Sequence, residues 1–256
     1  MPNRIDDKVC IVTGGGAGLG QATSLLFSEE GARVVIADVD AANGAAVARQ
    51  ITDAGGQAIA IETDVANNDH VVAMVDAAMD FGGKVDVLVN NAAVGGDPYN
   101  HTVVDGPIEK WRRCTDVNLL GPFLCMKHVV PHMLKREKGS IVNVGSISSV
   151  VGLMMQSIYA PAKAGILQLT RTAAIDYARN GIRVNCVLPG GMHTPMFEDE
   201  LAKAPRELVE KERELQPMGR FADPREVAYV ILFLAGDEAS YVNGAGWSVD
   251  GGYTAQ

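Results

Sequence analysis

Cysteine is sparse: the four residues Cys10, Cys114, Cys125 and Cys186 stand far apart, with no C-x-x-C pair. That scatter suggests neither a disulfide framework nor a zinc site, and leaves buried, reduced thiols as the expectation. Positive charge is also short, with 22 Lys and Arg against 31 Asp and Glu and a formal net charge of -9. A nucleic acid or an anionic membrane surface requires clustered Lys and Arg, so neither is an expected partner and a small molecule fits better. Long hydrophobic runs are missing as well. The charged start at 1–8 is followed by only four apolar residues before Thr13 and a glycine run, too few for a signal-peptide core or a membrane span. A cytoplasmic protein is expected. Aromatics reach only 5% while apolar residues make up 47% and glycines number 28, the profile of a globular chain with a sizeable core and many tight turns.

No low-complexity linker and no fixed-period repeat divides the chain, so residues 1–256 read as a single domain. Short apolar runs at 9–12, 33–37, 58–61, 85–89, 141–144 and 182–188 predict strands, with a seventh near 247–249. Between them, 18–30, 41–54, 69–81 and 159–179 read as helices. This alternation predicts an α/β fold: a doubly wound parallel sheet of about seven strands with helices on both faces. The stretch 190–220 breaks the rhythm and is too long for an ordinary connection, so it is a candidate substrate lid. Chemically interesting residues gather just after strands: Gly14, Asp38, Asn90 and Ser146. In an open parallel sheet the carboxyl ends of the strands form the ligand crevice, so these scattered positions can converge.

The run Thr13-Gly14-Gly15-Gly16-Ala17-Gly18-Leu19-Gly20 lies between a strand and a helix. Glycines there let the backbone approach a pyrophosphate, and the helix start offers unpaired N–H groups and a positive dipole end. Such a turn also occurs without a ligand. Asp38, twenty residues after Gly18 at the end of the second strand, adds weight because a carboxylate there accepts hydrogen bonds from the adenosine ribose. It would repel a 2′-phosphate, and neither Gly15 nor Val39 supplies a positive charge for one, so NAD is the expected cofactor. The bland alternative for Asp38 is a helix cap.

In Tyr159-Ala160-Pro161-Ala162-Lys163 the phenol and the ammonium are four residues apart and share a helix face. An unperturbed tyrosine has a pKa of about 10, and a nearby cation favours the phenolate, bringing it toward a working range for a base. The same spacing arises by chance in surface helices. Pro161 is tolerated only in a first turn, which places Tyr159 near the helix start, at the edge of the crevice.

Taken together, Thr13-Gly14-x-x-x-Gly18-x-Gly20, Asp64-Val65, Asn90-Asn91-Ala92-Ala93, Asn118, Ser146, Tyr159-x-x-x-Lys163 and Pro189-Gly190 followed by Thr194 resemble the short-chain dehydrogenase/reductase family over essentially the whole chain. Ser146 precedes Tyr159 by thirteen residues, the family's spacing. The resemblance implies a Rossmann fold and an NAD-dependent oxidoreductase that moves a hydride between the cofactor and a secondary alcohol or ketone. It implies Tyr159 as acid/base, Ser146 as a hydrogen-bonding partner of the substrate oxygen, Lys163 as a further holder of the nicotinamide ribose, and Asn118 as anchor of a relay water. A developing alkoxide needs donors already aimed at it, which a serine and a tyrosine can provide. Gly14, Gly16, Gly18, Leu19, Gly20, Asp38, Asp64, Val65, Asn90, Ala92, Pro189, Gly190, Met192 and Thr194 become cofactor contacts. Asn90 and Thr194 could equally cap local structure.

The chain departs from the common pattern at Ala93, Gly145 and Pro161, none of which removes a reacting group. His128 and His132 stand four apart, but Pro131 interrupts that segment and no carboxylate completes a ligand set, so no metal site is expected. Two other functions compete. A ketoreductase for carrier-bound acyl chains would use NADPH and basic docking patches, against Asp38 and the acidic charge. A non-catalytic NAD-binding protein would be expected to lack Ser146, Tyr159 or Lys163. The substrate side is apolar, with Val94, Val151, Met154, Met155, Met196 and Phe197 as pocket candidates and no Lys or Arg between Ser146 and Tyr159. An uncharged alicyclic or aromatic alcohol follows, unless these side chains merely pack the lid. The family also suggests a homotetramer built on helices at 111–134 and 159–179 and on the last strand.

Overall fold

The computed structural model describes residues 3–96, 100–203 and 205–256; Ala204, within the expected lid, lies outside the described residues. Seven strands form one sheet: β1 (Val9–Thr13), β2 (Arg33–Asp38), β3 (Gln57–Glu62), β4 (Val87–Asn90), β5 (Gly139–Val144), β6 (Ile182–Pro189) and β7 (Gly246–Val249). All neighbours pair parallel, in the order β3-β2-β1-β4-β5-β6-β7. Helices α1 (Gly18–Glu29), α2 (Ala41–Asp53), α3 (Asn68–Gly82), α4 (Ile108–Thr115), α5 (Gly121–Leu134), α6 (Tyr159–Tyr177), α7 (Pro195–Lys203), α8 (Arg206–Glu214) and α9 (Pro224–Ala235) complete the chain.

The central strands are buried along nearly their whole length and mostly apolar because both faces are covered. Along β1, Cys10 and Val12 meet Leu26 and Phe27 of α1 and Ile231 of α9. Val9 and Ile11 meet Met74 of α3 and Val129 of α5 on the other side. Each fully buried aliphatic side chain of this kind contributes on the order of 1.5–3 kcal/mol. The edge strands β3 and β7 are more exposed, so the core lies along β2, β1, β4, β5 and β6.

Helix starts are set by side chains that take up unpaired amides. Asp40 caps α2, Asn67 caps α3, and Asp223 with Glu226 forms a capping box on α9. The expected elements are all present with ends shifted by one or two residues, and two segments differ for a physical reason. Val85 is buried but precedes β4, because the Asp86 side chain, not a strand carbonyl, accepts the Val9 N–H at 2.9 Å. The segment around Pro131 is also not interrupted: α5 continues through it to Leu134, at the cost of the one bond that an amide at 131 would give to Lys127 O. There His128 Nε2 bonds Asn68 Oδ1 at 2.9 Å and ties α5 to α3.

The chain builds β1, β2 and β3 in one direction, then returns to lay β4 on the other side of β1. The connections from β1 and β4 therefore diverge above their carboxyl ends and leave a crevice there.

Candidate active site

The glycine turn leaves β1 at the floor of this crevice. Gly14 N–H donates to Ala37 O at 2.7 Å, and Gly16 N–H donates to Asp38 Oδ2 at 2.8 Å. Asp38 Oδ1 accepts from Asp40 N–H at 2.9 Å, so the carboxylate is held upright beside the turn. A Cβ on Gly20 would lie 1.9 Å from Gly14 O, so only glycine lets α1 start this close to the strand end. Ala17 at the start of α1 offers no side-chain acceptor and the first turn has no acid. Its amides and dipole end thus face the cleft unopposed, which suits the pyrophosphate of a dinucleotide.

The opposite wall comes from the end of β4. Asn91 Nδ2 donates to Thr13 O at 2.9 Å and Gly14 O at 3.1 Å, while Thr13 Oγ1 accepts from the Asn91 and Ala92 amides. Asn91 is the residue the sequence reading passed over in favour of its neighbour. Asn90, 3% exposed, instead donates to Asn143 Oδ1 at 2.8 Å, and Asn143 donates to Thr170 Oγ1 at 2.9 Å. Asn90 therefore ties β4 to β5 and does not line the cleft.

Lys163 and Ser146 face the crevice from α6 and the end of β5. The Lys163 side chain is 3% exposed, and Nζ donates to Val144 O at 2.8 Å and lies 5.6 Å from the Tyr159 ring centroid. Burial pushes its pKa down to about 8, with the nearby Cys186 and Cys114 thiols acting in the opposite sense. Ser146 Oγ accepts from Ser148 N–H at 3.2 Å, which leaves its own O–H to donate to a substrate oxygen. As Pro161 requires, α6 begins at Tyr159.

Asn118 sits in a π-helical turn (Asp116–Leu120) between α4 and α5 and is 1% exposed. Its Oδ1 accepts from Val94 N–H and its Nδ2 donates to Val94 O, both at 2.8 Å. The side chain of Asn118, the residue expected to anchor a relay water, grips the Val94 peptide through both its polar atoms. Farther along the cleft, Asp64 accepts from Arg113 at 3.1 Å, while Val65 is buried against Gly121.

A cleft of about 330 Å³ collects most of the expected residues: Gly14, Gly18, Leu19, Asp38, Asp64, Val65, Ala92, Val94, Ser146, Tyr159, Lys163, Pro189, Gly190, Met192, Thr194 and Met196. Gly16, Gly20 and Asn118 support it from behind without lining it. Val151, Met154, Met155 and Phe197 also lie outside its wall. Met154 is 92% exposed, and Phe197 packs edge-on against the buried Phe221 at 4.9 Å. Thr194 lines the cleft, and its Oγ1 accepts from Phe197 N–H at 3.4 Å at the start of α7. A second cavity of about 580 Å³ opens at the opposite end of the sheet, by the amino ends of β5 and β6, where Lys8 and Lys138 both pair with Asp237. It holds none of the groups above.

Residues 14–254 match the family described as Enoyl-(Acyl carrier protein) reductase. Over 256 residues, spanning the whole of both chains, the sequence is 46% identical to the cis-4-hydroxycyclohexanecarboxylate dehydrogenase of Sinomonas cyclohexanicum. It is 40% identical over 249 residues to the 3-oxoacyl-[acyl-carrier-protein] reductase FabG of Thermotoga maritima, covering 97% of this chain and 98% of that one. The crystal structure of levodione reductase superposes with a TM-score of 0.93 at 33% identity, over 98% of each chain. A crevice that presents a tyrosine, a buried lysine and a serine beside a dinucleotide cradle, on a chain this similar throughout, belongs to the short-chain dehydrogenase/reductase family, and the protein is an oxidoreductase of secondary alcohols and ketones.

Proposed function

We propose that the protein uses NAD to oxidise an uncharged alicyclic or aromatic secondary alcohol, or to reduce the corresponding ketone. The observation that carries this reading is the apolar front of the cleft. Val94, Met192 and Met196 line it near Tyr159, and the tyrosine ring packs so closely on Gly95 that a Cβ there would lie 2.8 Å from Cε2. Among the described lining residues only Lys163 and Arg113 are cationic, and they are engaged by Val144 O and Asp64. A carboxylate or phosphate on the substrate would therefore meet no unengaged positive partner, whereas methionines adapt to a ring.

When bound, the nicotinamide accepts or donates the hydride. Tyr159 takes the alcohol proton, Ser146 donates to the substrate oxygen, and Lys163 keeps a positive charge beside the phenol and reaches the nicotinamide ribose. Asn118 contributes by fixing Val94 at the cleft wall. Asp38, held by the Gly16 amide, accepts from ribose hydroxyls and repels a 2′-phosphate. Residues 190–220 act as the lid of a single domain, with α7 and α8 above the substrate.

A panel of kcat/KM values tests substrate and cofactor together. Cyclohexanol or an aromatic secondary alcohol with NAD is expected to outrank a hydroxy acid or sugar of similar size, and NAD to outrank NADP. Activity confined to charged or polyhydroxylated substrates overturns the substrate reading, and a preference for NADP overturns the role of Asp38. The panel includes 4-hydroxycyclohexanecarboxylate, because the ring in the name of the Sinomonas relative supports the alicyclic reading while its carboxylate opposes an uncharged one. It also includes a 3-oxoacyl thioester with NADPH, the reaction expected if the likeness to FabG extends to substrate.

The protein reads as a cytoplasmic homotetramer. Trp111, Phe123 and Ile175 on α4, α5 and α6, and Trp247 on β7, are 41%, 47%, 79% and 38% exposed, apolar surface of the kind subunit contacts cover. No helix among the described residues is long and apolar enough to cross a membrane. Sedimentation velocity at micromolar concentration is expected to give a tetramer, and a monomer there would refute it.

A further inference from the structure

We propose that Ser149 is a positioning residue whose hydroxyl sets the distance between Ser146 and α6. Ser146 lies beyond the end of β5, in extended backbone (φ -164°), and the last sheet bond before it runs from Gly145 N–H to Val187 O at 2.8 Å. What holds the Ser146 amide is Ser149: Ser146 N–H donates to Ser149 Oγ at 3.1 Å, and Ser149 O–H donates to Lys163 O at 2.8 Å. One hydroxyl thereby links the backbone of the serine that meets the substrate to the backbone of the lysine beside Tyr159. From the other side, Lys163 Nζ donates to Val144 O at 2.8 Å. The segment from Val144 to Ser146 is fastened to Lys163 at both ends, and the two fastenings fix its separation from α6.

The same contact accounts for Gly145. A Cβ at that position would lie 3.0 Å from Ser149 Oγ and 2.7 Å from Leu188 Cδ2, so a side chain there would push on the hydroxyl that holds Ser146. Glycine at 145 and serine at 149 form one arrangement, in which the absent side chain makes room for the link. Displacing a positioned group by about 1 Å can cost on the order of 100-fold in rate, which sets the scale of the effect.

The inference rests on Ser146 acting on the substrate oxygen. S149A is expected to lower kcat about 10- to 100-fold while the Kd for NAD stays within about twofold. S149T and S149V nearly match in shape and differ in the hydroxyl, so S149T is expected to keep kcat within about threefold and S149V to behave like S149A. Because Ser149 acts through Ser146, S146A/S149A is expected to be little slower than S146A alone. The proposal is overturned if S149A keeps kcat within twofold of wild type, if S149T is as slow as S149V, or if the S149A and S146A losses multiply. If S146A itself retains wild-type turnover, the assignment of Ser146 fails first. If S146A is inactive and S149A is not, only the present inference falls.

Discussion

Tyr159→Phe is expected to lower kcat by about two to four orders of magnitude, the usual share of a general acid–base, while NAD affinity and melting temperature stay near wild type. The substitution removes one oxygen and keeps the ring. That ring fills the space against Gly95, and a phenylalanine preserves the contact. Ser146 and Lys163 remain, so substrate oxygen and cofactor keep their other partners, and what is lost is the group that carries the proton. Stopped-flow or steady-state kinetics alongside NAD titration reads both quantities. Turnover within tenfold of wild type would remove Tyr159 from the proton-transfer step, and a matching loss of NAD affinity would recast it as a binding residue.

Lys163→Met is expected to abolish most turnover while leaving the fold as stable as before or more so at pH 7. The lysine pKa falls from 10.5 to about 8 because the ammonium is buried. At about 1.4 kcal/mol for each unit, holding it charged costs on the order of 3 kcal/mol, before the gain from its bond to Val144 O is counted. Below pH 8 the lysine is protonated in both folded and unfolded chains, and the cost is carried in full. Between pH 8 and 10.5 the folded protein sheds the proton first, the unfolded chain binds more protons, and the cost is relieved. The melting temperature of Lys163→Met relative to wild type is therefore highest at neutral pH and declines as pH rises through 8. Calorimetry at pH 7 and pH 9.5 checks this. A variant that melts well below wild type at pH 7 would show that the Val144 bond outweighs the burial cost.

These residues were readable in sequence because short-range spacing carries their information. Tyr159 and Lys163 share a face by helix geometry, Pro161 can sit only in a first turn, and Asp38 ends a strand that pairs with β1 from Val9 to Thr13. Asn90 and Asn91 show where this reading stops. They are adjacent, and which one faces the glycine turn depends on the strand register and on where the β4 ladder ends, one residue's difference that reverses the outcome. The Asn118 contact to Val94 joins residues 24 apart through a π turn, which has no composition signature. The apolar residues after Ser146 illustrate a different loss. Methionine and valine there suggested a pocket, yet Met154 projects from the surface, and Phe197 is taken up by Phe221 across the length of α7 and α8. Composition named the chemistry of those segments, and only tertiary contacts decide which side chains reach the cleft.

Met192 and Ala222 form a parallel bridge, with His193 N–H donating to Ala222 O at 3.0 Å and Ala222 N–H to Gly191 O at 2.9 Å. The chain between them carries α7 and α8 and is fastened again before the bridge, where Met218 N–H donates to Gly251 O and Gln256 Nε2 to Leu215 O, both at 3.1 Å. A loop closed at its base can change length at little thermodynamic expense, since each doubling adds only about 0.6 kcal/mol of closure entropy. In the proposed lid, insertions and deletions between 197 and 214 would therefore reshape the covering segment while the strands, the glycine turn and the groups of the cleft stay in register. Substrate range in such a scaffold would drift by editing one hoop of chain, apart from the sheet that carries the cleft.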